Sequence, residues 1–475
     1  MSPLALGLDL GSSGLRLALA ASTPGGGARL LSEHSSAYPR PFADPIGWRE
    51  GLLVLVEQLD PALRSRVDTI AIAGTSGTLL RCPPDGALLA GDEGLALPYH
   101  LSCPEQAETA RRICGDPGSP AASASGSLAR ALRLIGADGP AWGTAPAADG
   151  GSGPGGRAAG DMPPQARGPG APRGGSGSAV LDRARPPFLL RHQADWLMGW
   201  LLGDWRWGEE GNNLRLGWDL LRQSWSGSIA TQPWSGALPQ IRPSGTVLGH
   251  LSAEAAERLD LPRHCRVVAG STDANAGVLA ANPQEGDGIS VLGTTLVLKQ
   301  FVASPISAPG VSCHRVDGRW LLGGASNAGA GILRRFFSDA QIAELSRQID
   351  PHRPSGLDLL PLPGRGERFP VDDPTLEPRL EPRPTSDALY LQALLEGLTA
   401  LELRGWQRLR ELGAPRLRRV ITLGGGARNP QWRSLRQRAL GVPVLQRPGL
   451  SAAYGMARLA LQAAGRMDAP AGADS

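Results

Sequence analysis

Lysine is almost absent from this chain of 475 residues, which contains only one, Lys299. The other basic residues are arginines, and they are scattered instead of forming basic runs interleaved with aromatic side chains. Such runs are typical of nucleic-acid-binding segments, and the formal net charge here is only +4. We therefore expect no nucleic-acid partner.

Cysteine and long apolar runs are scarce as well. The five cysteines are an odd number without a CxxC pair, which argues against a disulfide framework or zinc site and favours a reducing compartment. No apolar run approaches the roughly 20 residues of a membrane-spanning helix. The first residues, MSPLALGLDLG, lack the basic region of a signal peptide. These absences predict a cytoplasmic protein without a membrane partner.

Length and composition predict two folded domains interrupted by an insertion. The chain is too long for one ordinary core, and its 41% hydrophobic and 19% charged residues are typical of globular proteins. Residues 137–178 are mainly glycine, proline, alanine and serine, so we predict a disordered insertion there. Elsewhere, strand-like segments such as VDTIAIAG alternate with helix-like segments such as ALYLQALLEGLTALELRGWQRLREL, which predicts an α/β fold.

Two segments share one pattern, namely LGLDLGSSGLRLALA at 6–20 and GISVLGTTLVLKQF at 288–301. In each, an apolar strand enters a turn of one glycine and two hydroxyl residues, and a second apolar strand follows. One hairpin in each half indicates a duplicated fold, the alternative being two unrelated hairpins. The turns suit phosphate oxygens, although turn hydroxyls often satisfy only their own backbone. The turn residues are Ser12 and Ser13 in the first hairpin and Gly293, Thr294 and Thr295 in the second.

A single carboxylate, Asp9, ends the first strand of the first hairpin. Ala5, Gly7 and Asp9 share one face of that strand, and the small residues leave room for something to approach. Mg²⁺ prefers one or two carboxylates together with waters and phosphate oxygens. Asp9 beside a phosphate-binding turn therefore suits a hydrated Mg²⁺.

Two further strands run into turns. In VITLGGGARNPQW, three glycines precede Asn429, a predicted helix cap, and Pro430, the predicted first helical residue. This arrangement suits a nucleotide, although it is neither a dinucleotide fingerprint nor a P-loop. In HCRVVAGSTDANAGVLAAN, Asp273 starts a helix whose dipole favours the ionised carboxylate, and an ordinary cap is the alternative. The small residues after Asp273 are consistent with a backbone that closely approaches a ligand.

Taken together, the order of these four motifs resembles that of the FGGY family of carbohydrate kinases, within the actin/hexokinase-like ATPase superfamily. GERFP, GGASNAGAGILRRFF and the closing AAYGMARLALQAAG are also similar to family segments. More narrowly, IAIAGTSGTLLRC is similar to the cyanobacterial and plant-type D-ribulose kinase branch. Family xylulokinases usually carry Met-His-Gly where this chain has Ser76, Gly77 and Thr78.

The resemblance implies two actin-like (ribonuclease H-like) domains that flank a catalytic cleft. We expect residues 1–280 to form the first domain and residues 281–452 the second, with the helix at 453–475 returning to the first. The resemblance also implies ATP and Mg²⁺ as cofactors, a small sugar as the partner molecule, and a monomer or homodimer.

The resemblance also assigns roles to residues. Asp273 is expected to be the general base and Asp9 the carboxylate that holds Mg²⁺ through water, both of them touching substrate. Ser76 and Glu209 are expected to contact the sugar, Glu209 standing where the family commonly has aspartate. Phosphate and nucleotide contacts are expected from Ser12, Ser13, Gly293, Thr294, Thr295, Gly425, Gly426 and Asn429.

We therefore expect ATP-dependent phosphorylation of the primary hydroxyl of a ketopentose, D-ribulose in the first place. A kinase acting on D-xylulose or another polyol is the alternative within the family. An actin- or chaperone-like ATP-binding switch is the alternative from another class of protein.

Overall fold

The first strand shows how apolar alternation builds the fold. The structure, a computed structural model, describes residues 2–136, 186–447 and 449–468, so the predicted insertion at 137–178 lies outside the described residues. The four leucines of Leu4–Leu10 enter one apolar core and Ala5 enters another, and the strand is buried on both faces. Central strands of α/β folds are buried in this way.

The secondary structure follows the predicted alternation. The strands are β1 Leu4–Leu10, β2 Leu15–Ser22, β3 Ala28–Ser36, β4 Val67–Gly74, β5 Leu79–Cys82, β6 Leu189–His192, β7 Trp207–Glu209, β8 Trp218–Asp219, β9 Ser224–Trp225, β10 Gln240–Arg242, β11 Val247–His250, β12 Arg266–Thr272, β13 Asp287–Leu292, β14 Leu296–Val302, β15 Val311–Val316, β16 Arg319–Ala325, β17 Arg419–Leu423 and β18 Val444–Gln446. The helices are α1 Pro45–Glu57, α2 Pro61–Arg64, α3 Ala107–Cys114, α4 Ser127–Gly136, α5 Gln193–Leu202, α6 Glu210–Asn213, α7 Ala253–Leu259, α8 Asp273–Ala281, α9 Asp339–Ser346, α10 Asp387–Glu411, α11 Pro430–Leu440 and α12 Ala452–Asp468.

Two six-stranded sheets of related topology form the framework. Their strand orders are β11-β12-β4-β1-β2-β3 and β15-β16-β14-β13-β17-β18. In the first sheet β1 pairs antiparallel with β2 and parallel with β4. In the second, β13 pairs antiparallel with β14 and parallel with β17. The predicted α/β fold class is confirmed, and each of the two hairpins lies at the centre of its own sheet.

An apolar layer built on two helices joins the sheets. Side chains of α8 and α12 share one core with Ala5 and Val268 of the first sheet and with Ile289 and Ile421 of the second. The terminal helix α12 follows the second sheet in the chain, yet it packs against β1, β2 and β4 of the first. The predicted domain boundary between residues 280 and 281 lies at the end of α8, just before the connection to β13. The division into domains at this point stays a prediction.

Small residues of β1 and α8 pack in this layer, so at Gly7 and Ala276 the space that we assigned to a ligand is filled by α12. At Gly277 of α8, where a Cβ would meet no atom within 4 Å, the interpretation stays a prediction. A Cβ at Gly7 would lie 2.0 Å from the Ala453 carbonyl oxygen and 2.2 Å from the Ala457 nitrogen. A Cβ at Gly455 would lie 1.9 Å from the Ala276 carbonyl oxygen. The physical reason is that α12 lies backbone to backbone against both elements, a distance that only very small side chains allow.

The state of the cysteines and the length of the helices bear on two absences that the sequence predicts, those of disulfide bonds and of membrane-spanning helices. Four of the five cysteines are buried, Cys313 is partly exposed, and all five are free thiols. Within the described ranges, no helix combines the length and the apolar character needed to cross a membrane.

We expect Gly7→Ala to destabilise the protein by about 3 kcal/mol, because backbone atoms of α12 cannot yield as a side chain would. Urea unfolding measures this change. Gly364→Ala is the matched control, since a Cβ there meets no atom within 4 Å, and its stability should remain within about 0.5 kcal/mol of the wild type. Equal stability of the two variants would contradict the proposed contact.

Candidate functional site

Each sequence motif follows the carboxyl end of a parallel strand. In the first sheet Asp9 lies at the end of β1, Ser76 follows β4 and Asp273 follows β12, and these three strands are neighbours. In the second sheet the Gly293 turn follows β13 and the three glycines follow β17, again a parallel pair. Carboxyl ends of neighbouring parallel strands meet at one edge, where open α/β sheets bind their ligands.

Asp9 is a buried carboxylate with an unused oxygen. It is 6% exposed, and its Oδ1 has no hydrogen-bond partner. Burial, and secondly the negative charge of Asp273, raise the pKa of Asp9 to about 7, an effect that Arg16 partly opposes. Arg16 stands opposite Asp9 in the β1–β2 register. Asp9 therefore lacks a full counter-charge.

Asp273 is the first residue of α8. Thr272 caps the helix by accepting a hydrogen bond from the Asn275 N–H, so the expected position of Asp273 in the first turn is confirmed. The Ala274 N–H donates to Asp273 Oδ1 over 2.7 Å. Burial raises the pKa of Asp273, whereas that N–H and the charge of Lys299 lower it. Asp9 and Asp273 thus form one electrostatically coupled pair.

The donor set of this pair fits a hydrated divalent cation. Within the part of the chain that the structure describes, no three His, Cys, Asp or Glu residues are grouped to hold a metal. An ion at Asp9 would therefore need water and phosphate oxygens for its remaining ligands, which is the usual coordination of Mg²⁺ beside a nucleotide. The unpartnered Oδ1 of Asp9 is the protein atom available for it.

A hydrogen-bonded chain connects the first hairpin turn with the turn that contains Ser76. The Tyr38 hydroxyl donates to the Gly11 carbonyl oxygen over 2.7 Å, and Gln193 Nε2 donates to that hydroxyl over 3.4 Å. The Thr75 N–H donates to Gln193 Oε1 over 3.1 Å. Sequence reasoning missed Tyr38 and Gln193, because neither lies in a motif and their partners are distant along the chain.

The first phosphate turn and the candidate sugar turn differ in exposure. Ser12 and Ser13 are exposed, as ligand-binding hydroxyls need to be, and Ser76 is half-buried. Beside Ser76, Arg130 Nη1 donates to the Gly77 carbonyl oxygen over 3.0 Å. A Cβ at Gly77 would lie 3.9 Å from the Cδ of a second arginine, Arg215, whose Nε is buried without a hydrogen-bond partner.

The carboxylate of Glu209 accepts hydrogen bonds from backbone N–H groups that follow it in the chain. It is fully buried and caps α6, with Oε1 accepting from the Gly211 N–H over 2.8 Å and Oε2 from the Asn212 N–H over 2.9 Å. Burial, and secondly the neighbouring Glu210, raise the pKa of Glu209 well above its ordinary value. Its role as a sugar contact stays a prediction.

Glu210 of α6 makes an ion pair with Arg315 of the second sheet. Arg315 of β15 donates to Glu210 from both Nε, at 3.0 Å to Oε1, and Nη2, at 2.7 Å to Oε2. Glu210 is fully buried at the start of α6. Two-pronged arginine–carboxylate pairs of this kind have a defined geometry, so this pair holds β15 beside the segment that contains Glu209.

The turn at Gly293, Thr294 and Thr295, which is the second predicted phosphate turn, is held by two of the segments that resemble family sequences. Ala330 N–H donates to the Gly293 carbonyl oxygen over 2.9 Å, and Gly331 N–H to that of Thr294 over 3.3 Å. Buried Glu367, in the GERFP segment, accepts from the Asn327 N–H over 2.8 Å. Sequence reasoning noted this segment without singling out Glu367 as the residue that orders the loop.

The triple-glycine turn packs against the end of β13, which leads into the second phosphate turn. A Cβ at Gly424, whose φ is +84°, would lie 2.7 Å from the Leu292 carbonyl oxygen, whereas Gly425 faces open space. Asn429 caps α11, accepting from the Trp432 N–H over 3.0 Å, and Pro430 begins that helix, as predicted. The amide Nδ2 of Asn429 donates to Ser346 Oγ over 2.7 Å. The backbone of Gly425 is therefore the open part of this turn.

Comparison with known structures defines the class of fold. A xylulose kinase from Rhodospirillum rubrum superposes with a TM-score of 0.71 at 19% identity, covering 98% of this chain and 90% of that one. A gluconate kinase from Lactobacillus acidophilus superposes with a TM-score of 0.70 at 15% identity, with the same two coverages. The fold is thus the two-domain actin-like fold of these kinases.

The second half of the chain is similar to one protein family. The model described as the C-terminal domain of the FGGY family of carbohydrate kinases matches residues 289–464. An autoinducer-2 kinase from Yersinia enterocolitica is 24% identical over 290 residues, which are 55% of this chain and 54% of that protein. The match therefore spans about half the length of this relative. The second half of the chain is thus similar to the C-terminal domain of FGGY carbohydrate kinases, and the whole chain shares the fold of the solved kinases.

The stability of the ligand-free protein should depend on pH through Asp9. Its pKa of about 7 in the folded state exceeds the ordinary 3.8, so folding favours the protonated form and stability falls as the pH rises between those values. We expect Asp9→Asn to be more stable than the wild type by about 1–3 kcal/mol at pH 8 and to show no such gain at pH 4. Urea unfolding at both pH values measures this. An advantage that is independent of pH would contradict it.

Proposed function

We propose that this protein is an ATP-dependent kinase that phosphorylates the primary hydroxyl of a ketopentose, with D-ribulose as the first candidate. The observation that carries the proposal is the coupled pair Asp9 and Asp273 at the carboxyl ends of neighbouring parallel strands. One carboxylate has a free oxygen for a cation, and the other begins a helix from which it can accept a proton. A phosphoryl transfer to an alcohol requires both roles.

In the proposed reaction the sugar hydroxyl oxygen forms a bond to the γ-phosphorus, and the bond from that phosphorus to the β,γ-bridging oxygen breaks to release ADP. The Asp273 carboxylate accepts the hydroxyl proton. Asp9 would hold Mg²⁺, which supplies positive charge to neutralise the phosphates. The turn hydroxyls Ser12 and Ser13, with Thr294 and Thr295, would orient the phosphate oxygens, and Gly425 and Gly426 would offer backbone to the nucleotide.

A sugar acid is a second candidate acceptor. Arg215 lies beside the Ser76 turn, where its Nη2 donates to the carbonyl and hydroxyl oxygens of Ser125 and its Nε has no partner. Among the described residues no carboxylate forms an ion pair with it, and burial alone lowers its pKa. A cation in this position suits a carboxylate on the substrate, because an arginine without a counter-charge is costly to bury. The gluconate kinase of the same fold is consistent with this alternative.

Asp273→Asn should lower kcat by at least about 10²-fold with little change in melting temperature, since asparagine remains polar at a helix start but cannot take the proton. Asp339→Asn is the matched control. Asp339 is likewise the first residue of a helix and follows a Ser338 cap, but it is exposed on α9. Its kcat should stay unchanged. Activity retained in Asp273→Asn would exclude the general-base role.

A substrate panel tests the acceptor. ADP release with Mg-ATP would be compared for D-ribulose, D-xylulose, glycerol, gluconate and autoinducer-2, with Asp273→Asn as the blank. We expect the highest kcat/KM with D-ribulose. Preference for gluconate, abolished in Arg215→Met, would establish the sugar-acid alternative instead. Slow ATP hydrolysis that no acceptor stimulates would contradict the kinase proposal and favour the ATP-binding switch.

A further inference from the structure

We propose that Lys299, the only lysine of the chain, is a positioning residue that reaches from the second sheet to the first turn of α8 and holds Asp273 ready to accept a proton. The proposal rests on the proposed function for what Asp273 does. The contact itself is independent of that function and is tested separately below.

The geometry places Lys299 between the two halves of the molecule. It lies on β14, beside the central strand of the second sheet, and is 8% exposed. Its Nζ donates to Asn275 Oδ1 over 2.8 Å. Asn275 is fully buried in the first turn of α8, two residues after Asp273, and its N–H donates to the capping Thr272. One side chain of the second sheet therefore holds the helix start that contains the candidate base.

The neighbouring strand leaves space for this side chain. Gly323 of β16 stands opposite Lys299 in the antiparallel register. A Cβ at Gly323 would lie 3.1 Å from Lys299 Cγ and 2.8 Å from the Leu298 carbonyl oxygen. The glycine thus allows the aliphatic part of the lysine to cross the sheet surface toward α8.

The charges around Lys299 explain why an ammonium group is kept there. Burial lowers the pKa of Lys299 to about 8, and the negative charge of Asp273 on α8 opposes that shift. His314 of β15 also faces the group, and burial and the charge of Lys299 lower its pKa to about 3, so it is neutral at physiological pH. Asp273 is therefore the counter-charge of Lys299, and below about pH 8 the ammonium favours the ionised carboxylate.

The choice of lysine instead of arginine at position 299 is also informative. Elsewhere this chain uses arginine for every basic position. An arginine would bring a wider, planar group that stays charged at all accessible pH values, whereas lysine is a compact point charge on a flexible stem. A buried lysine is rare unless it has a partner, which is consistent with a specific role at this position.

The first experiment measures the charge interaction between Lys299 and Asp273 and does not depend on enzymatic activity. Biosynthetic labelling with ¹³C-lysine yields one lysine side chain in this sequence, so a single ¹³Cε resonance reports its titration. We expect a midpoint near pH 8 in the wild type and a midpoint at least half a pH unit lower in Asp273→Asn, because the stabilising negative charge is gone. Asp339→Asn should leave the midpoint unchanged. A midpoint unaffected by Asp273→Asn would overturn the proposal.

The second experiment measures the consequence for the reaction. We expect Lys299→Met to lower kcat at least about tenfold with the KM for ATP within about threefold of the wild type, because a misplaced base slows the chemical step. The wild-type kcat should decline above pH 8, this decline should be missing in Lys299→Met, and it should move to higher pH in Lys299→Arg. A purely structural lysine would leave the shape of the pH profile unchanged, and that result would overturn the positioning role.

The two experiments separate the proposals. If the substrate panel shows no kinase activity while the resonance responds to Asp273→Asn, the proposed function fails and the charge interaction between Lys299 and Asp273 stands. If the panel succeeds and the resonance does not respond, the positioning role fails and the proposed function stands. Should Lys299→Met fold poorly, the labelling experiment and Lys299→Arg still decide the question.

Discussion

The negative charge of Asp273 beside the buried carboxylate of Asp9 is the constraint on which the site depends. Burial, and secondly the charge of Asp273, oppose ionisation of Asp9. The structure supplies positive charge from two directions, Arg16 across the β1–β2 hairpin and Lys299 from the second sheet. Neither pairs directly with Asp9, which keeps an oxygen free. One carboxylate oxygen of the site therefore stays without a protein partner, as the proposed cation would require.

This arrangement follows from the related topology of the two sheets. Both sheets place a hairpin at their centre with parallel strands beside it, so glycine turns collect at the carboxyl edge of each. The layer of α8 and α12 shares its apolar core with both sheets, and backbone contacts at Gly7 and Gly455 hold the two helices close to each other and to β1. The Arg315–Glu210 and Lys299–Asn275 contacts add polar connections across the same boundary. Packing and polar contacts outside the candidate site thus connect the two sheets.

Much of the local structure was predictable. The strand Leu4–Leu10, the Asn429 cap and the position of Asp273 in a first helical turn follow from alternation and capping preferences that act over a few residues. The glycine turns were predictable for the same reason. The role of the small residues was not predictable from the sequence. A glycine allows the close approach of a ligand and of a helix from the opposite end of the chain equally well.

The sequence by itself determined the α/β class, the duplicated hairpins and the set of chemistry-bearing turns, because dihedral preferences, alternation and capping are properties of neighbouring residues. Only the tertiary structure decided which of those residues meet. It coupled Asp9 to Asp273, turned Glu209 toward the backbone of α6 and brought the single lysine to Asn275, two residues after the candidate base. The reason is physical, since burial and the distance between charges are created only when distant segments pack together, and these set the pKa values and contacts of a site.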